Sequence, residues 1–409
     1  MNRTWRFPGM LALLILLPTA GRAQDVSELQ ATVSQRLETL RQELIDLRRD
    51  LHRNPELSGE EERTAGIVAD RLRKLGLAVR TGVGGHGVVG LLEGSEPGPV
   101  VAFRADMDAV ASNAPDPVEF RSLRPGVRHI CGHDIHTTIG LALAEGLAAV
   151  RDQLHGSIMF IFQPAEERAS GARAMLADNV FRHEQPDAIF AYHTAPFEVG
   201  QLATATETLM AWRDRVSVTL SGRGDVAGAA SEVYSRIRDV GTVPPERAAE
   251  SAPYDALLVR VGRPRQTNDD TVVVVAVISS ANPGARELVE SQLADLDFDD
   301  VTMKVSYEEK WVAGVTNDPD LARQAQASVA SVVGPDGVRM LTSVNPAFSE
   351  DFGSFQQQVP GVMFFLGVSN SAKGWVGMPH TPDYVADEES IFVGARAMSA
   401  VFLDFLDRR

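Results

Sequence analysis

The sequence predicts a two-domain α/β protein, and three observations carry that prediction. Helical apolar periods alternate with short, wholly apolar runs between residues 27 and 193, the pattern of an open sheet covered by helices. Those apolar runs end in carboxylates and imidazoles, where open α/β sheets place their sites. At Trp212 the pattern becomes β-α-β-β-α-β, and near Val315 the first pattern resumes. Residues 24–211 and 316–409 are therefore expected to form one catalytic domain, with 212–315 inserted into it as a ferredoxin-like lid.

Taken in order, Leu29, Val33, Leu37, Leu40, Leu44, Leu47 and Leu51 recur at spacings of three and four, predicting one helix over 27–51 that stops at Asn54-Pro55. A second helix is expected over 64–75, closed by Gly76. Residues 77–80, 87–92 and 100–104 are β-rich runs, the last leading into Ala105-Asp106-Met107-Asp108. Residues 139–150 are small and apolar, a helix suited to lie on the sheet. The strand at 156–162 delivers Gln163-Pro164-Ala165-Glu166-Glu167, and the strand at 188–192 delivers His193. Within the insert, 214–220, 256–261, 271–279 and 301–307 read as strands, and 227–240 and 283–296 as helices. A helix at 321–333, a strand at 362–367 and a closing helix at 388–406 complete the first domain.

The first 23 residues place Arg3 and Arg6 before a short apolar core, with Gly21 and Ala23 at its exit. That is the build of a secretory signal peptide. The apolar run is too short to span a bilayer comfortably. The mature chain is thus expected to begin near Gln24, to be periplasmic or secreted, and to have no membrane partner after cleavage. One cysteine excludes an intramolecular disulfide. The formal charge of −16 becomes −19 once Arg3, Arg6 and Arg22 are removed, because no acid precedes Asp25. Such a balance argues against nucleic acid and anionic lipid as partners.

The densest chemistry lies in residues 129–138, which hold Cys131 and three of the nine histidines, His129, His133 and His136. A thiolate beside imidazoles suits zinc or manganese-group ions. The bland alternative is a buried thiol among loop histidines.

Several motifs then fall into one scheme. They are Leu51-His52-Arg53-Asn54-Pro55-Glu56-Leu57-Ser58, Arg104-Ala105-Asp106-Met107-Asp108-Ala109 and Cys131-Gly132-His133-Asp134-Ile135-His136. Gln163-Pro164-Ala165-Glu166-Glu167, His193, Ser349-Glu350-Asp351-Phe352 and His380 follow in order. The chain resembles the M20 metallopeptidase family, in its amidohydrolase branch of aminoacylase, hippurate hydrolase and auxin-conjugate hydrolase type. The resemblance implies a zinc-peptidase-like catalytic domain and is compatible with a homodimer through the lid. It implies two divalent ions, Zn2+ or Mn2+, held by Cys131, His133, Glu167, His193 and His380, with the thiolate shared. It implies Glu166 and Asp108 as the catalytic residues. Glu166 would be the general base that takes the proton of a metal-held water and returns it to the leaving amine. Asp108 would orient a ligand histidine. The expected reaction is metal-dependent cleavage of the amide bond in small N-acyl amino acids, related amides or dipeptides. Asp106 and Asp134 stand between supporting ligands and capping loops, and His136 between touching substrate and bonding a carboxylate. His52, His86, His155 and His183 read as structural or exposed.

The insert departs from that pattern. Relatives carry a Gly-His-Ala-type motif after the first lid strand, whereas here the stretch reads Gly222-Arg223-Gly224-Asp225-Val226-Ala227-Gly228, and no histidine occurs in 212–315. The arginine usual near the end of the third lid strand is replaced by Ser279, although Asn268 is kept. Loss of a transition-state donor typically costs about 10²–10³ in rate. Arg223 either substitutes for it or is a turn residue between two glycines. A second reading is therefore a catalytically silent, metal-holding binding protein. A third, a cysteine nucleophile at Cys131 with His133 or His136, leaves Glu167, His193 and His380 without a role.

Overall fold

The computed structural model describes residues 20–244, 247 and 250–408. The export segment expected over 1–23 lies outside the described residues as far as residue 19. Among the described residues, no helix is long and apolar enough to cross a membrane.

The main sheet has eight strands among the described residues. They are β1 (Ala78–Val83), β2 (Gly87–Glu93), β3 (Glu96–Asp106), β4 (His155–Gln163), β5 (Ala188–Glu198) and β6 (Leu202–Thr204), with β12 (Val338–Met340) and β13 (Gly361–Ser369) from after the insert. Their order is β1-β2-β4-β3-β5-β13-β6-β12, and the central β4, β3, β5 and β13 run parallel. Parallel strands buried on both faces read as unbroken apolar runs rather than alternating ones. Val101, Phe103 and Ala105 face one apolar core, and Val100 and Ala102 face the other.

Helix α4 (His133–Ala148) covers the first face beside α1 (Ala20–Thr39), α2 (Arg41–Arg53) and α8 (Glu389–Asp407). Close approach is set by Gly140, where an added Cβ would lie 2.8 Å from the Phe162 ring. Two boundaries correct the sequence reading. The helix expected over 27–51 is two helices separated at Leu40, because an apolar period counts faces and stays in phase across a break in the axis. Helix α4 begins at His133, six residues earlier than expected, so the imidazoles occupy its first turn.

The inserted sheet contains β7 (Trp212–Gly222), β8 (Leu257–Val261), β9 (Arg265–Asn268), β10 (Thr271–Ser280) and β11 (Val301–Val312). Its order is β8-β10-β7-β11, with β9 paired to β10 and every pairing antiparallel. Helices α5 (Val226–Arg238) and α6 (Ala285–Leu293) pack on one face, where Val216, Val218, Ala276 and Ile278 meet Val233 and Val289. Among the described residues of the insert, the short β9 is the one strand added to the expected β-α-β-β-α-β order.

Candidate metal centre

The parallel strands end at one level. Register sets Asp106 opposite Gln163, and Arg104 opposite Ala191, which brings His193 level with Asp106. The turn after β4 follows at once, with Ala165 at φ 52°, a left-handed conformation uncommon outside glycine. That turn aims Glu166 and Glu167 at the start of α4. Gly132 precedes the helix at φ 89°, and a Cβ there would lie 2.3 Å from the Tyr384 hydroxyl, so only glycine lets Cys131 and His133 sit on either side. His380 arrives from the loop before α8, also at positive φ (63°), with its N–H donated to the Ile130 carbonyl at 2.8 Å.

All five side chains expected as metal ligands meet here. Donor atoms of Cys131, His133 and His193 lie within 4.8 Å of one another, and so do those of Cys131, Glu167 and His380. The two groups share Cys131. Its Sγ is 3.4 Å from His193 Nε2, while Glu167 Oε1 is 3.5 Å from His380 Nε2 and 3.8 Å from His133 Nε2. Glu166 lies alongside, with Oε2 3.6 Å from His133 Nε2.

His133 and His193 each turn Nε2 into the site. His193 donates through Nδ1 to the Thr194 carbonyl at 2.7 Å, which leaves the Nε2 lone pair facing Cys131. His133 Nδ1 is 3.2 Å from Asp108 Oδ1, and its Nε2 is buried without a hydrogen-bond partner among the described residues. Glu167 Oε1 is orphaned in the same way. Buried polar atoms are ordinarily satisfied, so two orphans pointing at one place mark a position for a bound group. The thiol, imidazole and carboxylate set is a zinc or manganese-type set, and the residues fit such ions.

Electrostatics agrees. Burial, then Glu350 and Glu167, push the Glu166 carboxyl well above its ordinary range. Burial raises Glu167 to about 7, and burial with Glu167 and Glu166 raises the Cys131 thiol. Burial would strip the proton from His133, but Asp106 and Asp108 hold it, raising the group to about 10. Acids and a base shifted upward together mean surplus negative charge, which a divalent cation would neutralise.

Asp108 is the hub of the turn. Besides His133, its carboxylate accepts the N–H of Glu166 at 3.2 Å, the N–H of Glu167 at 3.0 Å and the Ser58 hydroxyl at 2.6 Å. The open assignments now close. His136 bonds a carboxylate, Asp106 Oδ1 at 2.6 Å through Nδ1, and accepts the Thr194 N–H at Nε2, so both its ring nitrogens are engaged. Asp134 pairs with Arg48 at 2.9 Å and His52 at 2.7 Å, fastening α4 to α2. His52 is buried and structural, and His155 and His183 are exposed.

Sequence reasoning assigned no role to Arg104, Glu350 or Asp351, which form a buried group behind Glu166. Arg104 contacts Asp106 at 2.5 Å, Glu350 at 2.7 Å, Asp351 at 3.1 Å and Gln163 at 2.8 Å. The usable signal was a lone guanidinium inside the apolar run of β3, since a buried charge requires partners. Arg223 lies in the turn at the far end of β7, exposed, with its N–H donated to the Asp300 carbonyl.

Fold and site together define a two-domain α/β protein with the build of a dinuclear metallohydrolase. The chain belongs to peptidase family M20/M25/M40, whose profile matches residues 102–404. It is 29% identical over 384 residues to thermostable carboxypeptidase 2 of Saccharolobus solfataricus, covering 89% of this chain and 96% of that one. It is 29% identical over 382 residues to IAA-amino acid hydrolase ILR1-like 4 of Arabidopsis thaliana, covering 89% and 86%. The crystal structure of Bacillus subtilis YXEP protein, described as a dinuclear metal binding peptidase from the M20 family, superposes with a TM-score of 0.77 at 26% identity, covering 91% of this chain and 99% of that one. The chain is accordingly a hydrolase of C–N bonds.

Proposed function

We propose that this protein is a metal-dependent amidohydrolase that cleaves small N-acyl amino acids and related amides or dipeptides, with Glu166 as the proton-transferring base. One observation carries the reading: two ligand groups share Cys131, and Glu166 lies outside that pair, its carboxylate 3.6 Å from His133 and grouped with Asp108, Asp106 and Glu350 instead. Cys131, His133, Glu167, His193 and His380 would hold two divalent ions, which supply an acidified water and polarise a carbonyl oxygen. Glu166 then needs to take a proton and hold it until the amine departs. A buried carboxyl whose proton affinity is raised by Glu350 and Glu167 is suited to that task. Asp108 keeps the Glu166–Glu167 turn and His133 in one geometry. The names of the carboxypeptidase and amino acid hydrolase relatives support an amino acid on one side of the bond.

The missing insert histidine favours a second reading, a silent metal-holding relative, and one experiment separates the two. Purified protein is analysed for metal and then assayed on a panel of N-acyl amino acids and dipeptides with added manganese or zinc. Bound metal with turnover is the expected result, and Cys131→Ala should lose at least one ion. Metal without turnover on any panel member selects the silent reading. Protein never exposed to chelator that contains no metal overturns both. The basic, apolar and small-residue order of residues 1–23 adds export to the proposal, checked by N-terminal sequencing, which should begin near Gln24.

A further inference from the structure

The five grouped donors are not held alike. Cys131 and His133 flank the first turn of α4, His193 lies in β5, and the N–H of Glu167 is bonded by Asp108. His380 comes instead from a loop, at positive φ, with its side chain 49% exposed. Its own backbone bond to the Ile130 carbonyl is one tie to the segment that carries Cys131. Arg128 supplies another.

Arg128 is buried three residues before Cys131, where it pairs with Val110 in a short antiparallel ribbon. Its Nη1 donates to the Pro382 carbonyl at 3.0 Å and its Nη2 to the Tyr384 carbonyl at 2.7 Å. Those carbonyls lie two and four residues beyond His380. Nη1 also donates to the Pro115 carbonyl at 2.8 Å, and Nε lies 3.1 Å from Asp116 Oδ1. One planar guanidinium therefore fastens the 382–384 stretch and the 115–116 stretch to the strand leading into Cys131. A lysine ammonium, a compact point charge, does not present that fork. Tyr384 closes the arrangement, because its hydroxyl lies against Gly132, between Cys131 and His133. A buried carbonyl that loses its donor is destabilising, so without Arg128 the loop beyond His380 would have to move.

We propose that Arg128 is a positioning residue that fixes His380 relative to Cys131 and so completes the Cys131, Glu167 and His380 group, touching neither ion nor substrate itself. The inference rests on the metal-centre reading. The other group takes its imidazoles from α4 and β5, so the ion held there should survive the loss of Arg128.

The test titrates the protein, freed of metal by chelator, with Mn2+ in a calorimeter. The wild type should take up two ions, and His380→Ala should weaken one of them, which marks the ion in question. Arg128→Met should weaken that same ion about tenfold or more, the size expected of a group that orients a ligand. It should change the other ion less than about twofold, and should add nothing further to that ion in the His380→Ala background, since effects through one residue are not additive. Arg128→Lys should fall between Arg128→Met and the wild type. If Arg128→Met does not fold, Arg128→Lys carries the comparison in both backgrounds. A role in the fold alone would weaken both ions alike, or weaken the remaining ion further once His380 is gone, and either result would overturn the proposal. Two ions bound with unchanged affinity in both Arg128 variants would also overturn it while leaving the metal centre intact. A wild type that binds fewer than two Mn2+ ions would remove the metal-centre reading and this assignment with it.

Discussion

Asp108 Oδ1 lies 3.2 Å from His133 Nδ1, and the same oxygen accepts the backbone N–H of Glu166. One carboxylate therefore fixes a ligand-type imidazole and the turn that carries both glutamates. Partners of this kind typically contribute about 10–100-fold to metal affinity. Asp108→Asn places an amide N–H against N–H donors, so metal affinity should fall by about that factor while the fold survives. Titration against a competing chelator reads the change, and unchanged affinity would reduce Asp108 to a loop contact.

Glu166 and Glu167 should separate on mutation. Glu166→Gln preserves shape and should retain metal, yet it should lose at least about 10²-fold in kcat because the proton carrier is gone. Glu167→Gln should instead lower metal occupancy, as one of its oxygens is buried without a partner. Metal analysis and single-turnover kinetics on the same preparations distinguish the two. Variants that both keep metal and full turnover would show these roles to be misassigned.

Gly132→Ala should be costly for two reasons. The residue has φ 89°, and the new Cβ would sit 2.3 Å from the Tyr384 hydroxyl and 2.6 Å from Thr194 Cγ2. Strain and overpacking each cost about 1–3 kcal/mol. A lowered thermal midpoint is expected together with reduced metal occupancy, since Cys131 and His133 flank the glycine. Gly85→Ala, where no atom lies within 4 Å of the added carbon, supplies a control for left-handed backbone strain alone.

Asp387 should contribute to the acid limb of stability. Burial raises its carboxyl, but the Glu389 N–H, Lys373 and Asn370 more than offset this and hold it below the usual range. A depressed folded value means a contribution fully present above the unfolded value of about 3.9 and lost as pH falls through the lower folded one. Asp387→Asn should therefore destabilise the protein at neutral pH and flatten its loss of stability below about pH 4. Denaturant midpoints across pH 3–7 would record it. Parallel curves for the variant and the wild type would remove Asp387 from the acid transition.

The candidate site was legible where chemistry is rare in sequence. A sole cysteine two residues before a histidine, an adjacent Glu-Glu after an apolar strand, and isolated His193 and His380 all proved to be neighbours. The supporting groups were less legible. Asp134 could not be told from a loop cap until Arg48 and His52 were seen against it, and Arg104 stood in sequence as one charged letter in a strand. Arg223 drew notice through its place in a motif, yet it lies exposed in the turn beyond β7, with its N–H donated to the Asp300 carbonyl.

By itself the sequence determined the alternation of helix and strand and the inserted β-α-β-β-α-β order, because period is a local property, whereas the five donors were named through the resemblance of their motifs to a family. Tertiary structure decided the rest. It set that His193 Nδ1 bonds the Thr194 carbonyl while His133 Nε2 lacks a hydrogen-bond partner among the described residues, and that Asp108 holds both glutamates. Those facts depend on strand register and on loops brought together from distant parts of the chain. No local pattern encodes such distances, since they follow from packing the whole core at once.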